Sequence, residues 1–211
     1  MNHSLRFALI LAAAGTTWGC SAQHEDLTND AGPTTAPATQ PAALAVAADE
    51  QGKEAVAEIH GAGDNHDKIH GTATFTQMAH GVKVVVDVDG LSPGKHGIHV
   101  HDKPDLSDPK LMKAGPHYNP DDAAHKHAGP EDPDRHAGDL GNIEVDEKGH
   151  GHLELTDDDL SVDGPKNPVV GHSLIIHAKE DDLKSQPAGN SGDRIAGGVI
   201  VLKADHEPPK S

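Results

Sequence analysis

Between about Lys53 and Leu202 the apolar residues recur at every second position, and no stretch of ten or more residues carries a helical period. Ala55, Ala57 and Ile59 alternate with Val56, Glu58 and His60, and Ile69, Gly71, Ala73 and Phe75 alternate with His70, Thr72 and Thr74. Val84, Val86 and Val88 alternate with Lys83, Asp87 and Asp89, with Val85 as the exception. Alternation of this kind sends one face of a strand into a core and the other into water. Ile143 and Val145, a turn at Asp146-Glu147-Lys148-Gly149, then Leu153 and Leu155 predict a hairpin. Leu174 to His177 and Ile195 to Leu202 predict the last two strands. About seven or eight short strands joined by Pro/Gly-rich connections make an all-β sandwich or flattened barrel. Two connections are too long to be turns, Asp102 to Asp139 and Ala178 to Asp193. Loops of that length in a compact domain carry function or lack fixed structure.

The core of such a fold has little aromatic material to use. Phe7 and Trp18 lie in the first twenty residues, which leaves Phe75 and Tyr118 for the folded part. Val, Ile, Leu and Ala must fill it. The formal net charge of -17 excludes a nucleic-acid partner, because phosphate contacts need clustered Lys and Arg.

The N-terminus predicts export. Arg6 precedes an apolar run from Phe7 to Ala14, too short to span a bilayer and suited to a signal-peptide core. Gly19-Cys20-Ser21-Ala22 resembles the lipobox of bacterial lipoproteins, although Thr17 and Trp18 fit that box poorly. Cys20 is the single cysteine, so no intrachain disulfide exists. A lone Cys in an exported chain is accounted for by lipidation. The expected organisation is a leader over 1–20, an Ala/Thr/Pro-rich tether over 21–50, one domain over 51–204 and a tail over 205–211. The location read from this is the periplasm or cell envelope, with the lipid at Cys20 as the only membrane contact.

Seven of the 18 histidines cluster between His96 and His136. In Lys95-His96-Gly97-Ile98-His99-Val100-His101, residues two apart share a face. His96 shares the side of Ile98 and Val100 and reads as a buried, hydrogen-bonded histidine. His99 and His101 point together to the other side, as a two-imidazole clamp. The first long loop adds His117, His127, His136 and Asp139 within 23 residues, a nitrogen and oxygen set that suits tetrahedral zinc. Pro116, Pro120, Pro130 and Pro133 reduce the entropy lost when that loop closes.

The segments GKHGIHVHD, AGPHYNP, KHAGP, RHAGDLGN, VVGHSLIIHAKEDDL and GNSGDRIAGGVI occur in this order. Together they resemble the copper/zinc superoxide dismutase family over roughly Lys53 to Leu202. The resemblance implies an eight-stranded Greek-key β-barrel, an immunoglobulin-like sandwich with two long functional loops. It implies copper held by His99, His101, His117 and His177, and zinc held by His117, His127, His136 and Asp139, with His117 shared. It further implies that Asp181 links His99 to His127, that Arg194 docks the substrate anion beside the copper, and that the reaction is dismutation of superoxide. His117 and Arg194 are the catalytic side chains on this reading. Family members pair through different surfaces or stay single, so a homodimer is compatible with the sequence and not required by it.

The family usually carries a disulfide between the first long loop and the last strand, at positions that align with Leu111 and Gly197. Zinc and the packing of Leu111 and Met112 are expected to hold the loop instead. The competing reading is a catalytically silent copper/zinc-binding module of the same fold, used for storage or delivery. Such a module has no need of Arg194. A zinc hydrolase with an open coordination position fits the four-imidazole set less well. His150 and His152 form a second H-x-H beside a turn and read as solvated, with weak metal capture as the alternative. His60, His66, His70 and His80 read as solvated. Lys179 and Lys184 read as surface charges.

Overall fold

The computed structural model describes residues 52–120 and 125–205. The leader 1–20, Cys20, the tether 21–50 and the tail beyond 205 lie outside the described residues. The strands are β1 Glu54–Gly61, β2 His70–Gln77, β3 Val82–Asp89, β4 Gly94–His101, β5 Asp139–Val145, β6 His150–Asp157, β7 Ser173–His177, β8 Arg194–Val199 and β9 Val201–Leu202. They neighbour one another in the order β2-β3-β6-β5-β4-β7-β8-β1-β9, and pairing of β1 with β2 closes the ring. All ladders are antiparallel. The β3–β6 and β4–β7 neighbourhoods are the Greek-key crossings, and closure leaves the eight-stranded barrel no long exposed edge.

Alternation makes this core. Ala55, Ala57, Ile59, Ala73, Phe75, Val82, Val84, Val86, Val88, Ile98, Val100, Ile143 and Ile176 are buried together in the barrel. Phe75 and Tyr118, the two aromatics of the domain, are both in it. Strand β4 departs from simple alternation because its last six residues are all buried. Ile98 and Val100 face the barrel interior, while His99 and His101 are covered from outside by the two long loops. His96 is satisfied on both ring nitrogens. Nδ1 donates to the His177 carbonyl at 2.7 Å, and the Ser92 hydroxyl, 3.1 Å from Nε2, donates to that nitrogen.

The last strand is interrupted where unbroken alternation predicts continuity. Ile200 leaves the ladder, is fully buried, and exchanges backbone hydrogen bonds with Gly171 and His172. The pairs His60↔Gly197 and Val56↔Val201 keep one register on either side, so β8 and β9 are one barrel strand with a break. The break turns Ile200 inward and fixes the end of the 158–172 connection.

The first long loop, residues 102–138, is tied to β4 by backbone bonds. Asp102 N–H donates to the Pro116 carbonyl, Tyr118 N–H to the Val100 carbonyl and Val100 N–H to the Gly138 carbonyl. His101 and His117 therefore face each other across a β-bridge. Leu111 packs into a small cluster with Ala62, Ala114, Ile175 and Leu106. A Cβ placed on Gly197 would lie 3.4 Å from Leu111 Cδ1, so these two positions adjoin. Met112, in contrast, is 62% exposed, which corrects its expected part in holding the loop. The local cause is the left-handed backbone of Leu111 (φ 55°), which turns the two side chains apart.

Candidate metal centre

The site lies on the outer side of β4 and β7, beneath the two loops. His99 and His101 come from β4 and His177 from the end of β7, three ligand-type side chains on adjacent strands. His117, His127 and His136 come from the first loop and Asp139 from the start of β5. His99, His101, His117 and His177 form one buried group whose ligand atoms all lie within 4.8 Å of one another. His99, His117, His127 and Asp139 form a second such group, which shares His99 and His117 with the first. His136 adjoins it, with Nδ1 3.3 Å from Asp139 Oδ2 and its ring 5.9 Å from that of His117.

The hydrogen bonds sort the ring nitrogens. His99 Nε2 donates to Asp181 Oδ2 at 2.7 Å, and His127 Nε2 donates to Asp181 Oδ1 at 2.9 Å. One carboxylate thus orients a ring from each group. His101 Nδ1 donates to the Gly115 carbonyl and His177 Nδ1 to the Gly192 carbonyl. His117 Nδ1 meets Asp139 Oδ1 at 2.7 Å. Among the described residues six ring nitrogens are left buried with no hydrogen-bond partner: His99 Nδ1, His101 Nε2, His117 Nε2, His127 Nδ1, His136 Nδ1 and His177 Nε2. His127 Nδ1 lies 3.0 Å from Asp139 Oδ1, yet the two are not aligned as donor and acceptor. Close approach without alignment is expected of groups directed at a common centre.

Orphaned buried nitrogens of this number are costly unless something binds them. Five of the six rings, all but His136, also hold their other nitrogen on a carboxylate or carbonyl, the arrangement that fixes a metal-ligating imidazole. Copper and zinc both suit the donors. Four imidazoles serve Cu(II), and three imidazole nitrogens with a carboxylate oxygen serve Zn(II).

Electrostatics keeps most of these rings ready for a cation. Burial, and then the neighbouring His99, lowers His117 to about 4 and His177 to about 3. Burial, followed by His117 and Arg194, holds His101 well below the usual range, and burial also lowers His99. These rings are neutral at pH 7, with lone pairs available. His127 behaves oppositely. Burial would lower it, but the close Asp139 carboxylate and the hydrogen bond to Asp181 outweigh that and raise it to about 9. Asp139 and Asp181 are both held below the usual carboxylate range, because their bonds to histidines outweigh burial.

Arg194 opens β8 opposite His177. Its guanidinium donates to the Leu111 carbonyl and to the Gly115 carbonyl, each at 2.7 Å. Gly115 also accepts from His101, so one peptide joins Arg194 to a ligand of the first group. The side chain stays partly exposed. Its bonds to the loop backbone have no signal in the sequence, because backbone carbonyls are invisible to residue patterns. The second loop is organised around Asp181 and Asn142. Asp181 N–H donates to Asn142 Oδ1, and Asn142 Nδ2 donates back to the Asp181 carbonyl.

A closed Greek-key barrel carrying two adjoining, buried, histidine-dominated cation sites is a two-metal redox protein of the copper/zinc class. The family model of copper/zinc superoxide dismutase (SODC) matches residues 69–200, and the chain belongs to that family. Among solved structures, the crystal structure of the clock protein EA4 is similar, with a TM-score of 0.64 and 38% identity. The match covers 72% of this chain and 96% of that one.

Proposed function

We propose that this chain is an exported, lipid-anchored superoxide dismutase in which His99, His101, His117 and His177 hold copper and His117, His127, His136 and Asp139 hold zinc. The set of six unpartnered ring nitrogens carries the reading, since it supplies a donor for every imidazole contact except the Nδ1 of His117. That nitrogen faces Asp139, on the zinc side. His117 thus offers Nε2 to one group and Nδ1 to the other.

Copper held by His99, His101, His117 and His177 would supply one-electron redox chemistry, by which two superoxide ions and two protons would give oxygen and hydrogen peroxide, and redox-inert zinc held by His117, His127, His136 and Asp139 would orient His117 and order the loop. The protein's own part begins with charge. Superoxide is an anion and the chain carries -17, so a local positive centre must oppose the overall field. Focusing of that kind raises association rates by about 10 to 10³. Arg194 supplies it, with the guanidinium fixed by the Leu111 and Gly115 carbonyls instead of a carboxylate that would cancel it. His117 Nε2 would alternate between holding copper and holding a proton for the peroxide. Asp181 keeps His99 and His127 from rotating.

The contact of Leu111 with Gly197 stands, on this reading, where the family's loop-to-strand disulfide runs. The leader over 1–20, the tether over 21–50, the domain over 51–204 and the tail over 205–211 put the enzyme on a lipid stalk in the cell envelope. Metal analysis with a superoxide-consumption assay tests the enzymatic reading. One copper and one zinc per chain with rapid turnover is the expected result, and full metal without turnover would identify a silent binding module. Lipidation is tested separately: Cys20→Ser should move the exported protein from the detergent phase to the aqueous phase.

A further inference from the structure

The second H-x-H of the chain is exposed, in keeping with its solvated reading, and each of its rings also meets a carboxylate on the neighbouring strand. His150 and His152 lie on the outer face of β6, with side chains about half exposed, at 48% and 51%. The register sets Asp89 directly across from His150 and Asp87 directly across from His152. His150 Nδ1 meets Asp89 Oδ1 at 3.1 Å, and His152 Nδ1 meets Asp87 Oδ1 at 2.7 Å. Two parallel carboxylate–imidazole pairs result, each with Nδ1 engaged and Nε2 left to project. This is the arrangement that orients a metal-ligating histidine and raises its basicity. The chain shows the same device inside, where Asp181 engages one nitrogen of His99 and leaves the other for the centre.

Spacing also agrees. His99 and His101 sit two apart on a strand, their ring centroids are 6.4 Å apart, and both belong to one ligand group. His150 and His152 have that same spacing on a single face. Together with Glu144, Val145 and Asp146 they line an open cavity of about 310 Å³. Glu144 is the cross-strand partner of His152, and His70 lies across from Asp89 on the far side. Lys83 pairs with Glu154 at 2.8 Å and Lys95 lies 3.8 Å from Glu144, which leaves Lys148 beside Asp146 against the carboxylates of Asp87, Asp89, Glu144 and Asp146. The field over the cavity is therefore negative, with two imidazoles at its floor.

We propose that this outer face is a third cation site, at which His150 and His152 chelate an exchangeable divalent transition-metal ion through Nε2 while Asp89 and Asp87 brace their rings. Imidazole with water and nearby carboxylate suits Cu(II), Ni(II) and Zn(II), and is a poor match for Mg(II) and Ca(II), which take oxygen donors.

Protein already holding one copper and one zinc is titrated with Ni(II) alone and followed by calorimetry at pH 7.5. One further equivalent is expected. The double variant His150→Ala/His152→Ala should lose at least tenfold in affinity for it, with the visible spectrum of the interior copper unchanged. Asp87→Asn/Asp89→Asn, which keeps both imidazoles, should weaken it by about tenfold. Absence of a further equivalent in the parent protein would overturn the proposal, and so would its persistence at unchanged affinity in the histidine double variant.

Discussion

Leu111 is the residue whose replacement separates side-chain burial from backbone strain. It is 6% exposed and packs against Ala62, Ala114, Ile175 and Leu106. Leu111→Ala removes three carbons, worth about 2.4 kcal/mol at ~0.8 kcal/mol per buried methylene. A residual cavity brings the expected loss to about 2–4 kcal/mol. The backbone adds a second effect. At φ 55° a side chain bearing a Cβ is disfavoured by roughly 1–2 kcal/mol, and glycine escapes that cost. Glycine is ordinarily worse than alanine by about 0.5–1 kcal/mol, through chain entropy. Here the order should level or reverse, with Leu111→Gly no less stable than Leu111→Ala. The assay is urea and thermal unfolding of metal-free protein, where bound cations do not mask the difference. For a domain of this size a loss of 2–4 kcal/mol lowers Tm by roughly 5–15 °C. A Gly variant clearly less stable than the Ala variant would refute the strain argument. A loss below about 0.5 kcal/mol for Ala would refute the packing argument.

Arg194→Ala should cut the superoxide rate constant of metal-loaded protein at least tenfold, about 1.4 kcal/mol, and Arg194→Lys should recover part of it because charge returns without the two-carbonyl grip. An unchanged rate at low salt would remove Arg194 from anion docking. Asp181→Asn should lower zinc affinity by about 10–100-fold, read by competition with a chromophoric chelator, since it holds His99 and His127 together. Metal-free protein should lose stability on acidification. His117 and His177 have folded values of about 4 and 3, below the ordinary 6.5, so their contribution is present above pH 6.5 and lost as pH falls toward 3. A urea midpoint that does not fall between pH 6.5 and 4.5 would contradict this. Removing both metals should lower Tm steeply, and equal melting of loaded and metal-free forms would show that the loop needs no cation.

Much of the fold was legible because period-two alternation states which face of a strand is inside. Val84, Val86 and Val88 meet that rule, and so do Ala55, Ala57 and Ile59. The break at Ile200 was not legible, since its cause is a backbone exchange with Gly171 and His172 from a distant connection. The histidines of the centre were legible as types and spacings. The partners that sort their nitrogens were only partly so, because Gly115 and Gly192 contribute carbonyls that every residue possesses. Leu111 was expected to pack, and it does. Met112 was expected to join it, and an αL backbone, unreadable from a leucine, sends it to solvent. The outer pairs of His150 with Asp89 and His152 with Asp87 needed the β3–β6 register, which no local pattern specifies.

The β-bridge between His101 and His117 gives position 117 the properties of a socket. The peptide on either side is clamped to β4 by main-chain bonds, Asp102 to Pro116 and Tyr118 to Val100, so the Cα is mounted independently of the ring it carries. A different side chain installed there would be presented to the same interior point. Redesign of the shared corner can therefore proceed by swapping one attachment on a rigid frame, leaving the barrel to serve as the jig.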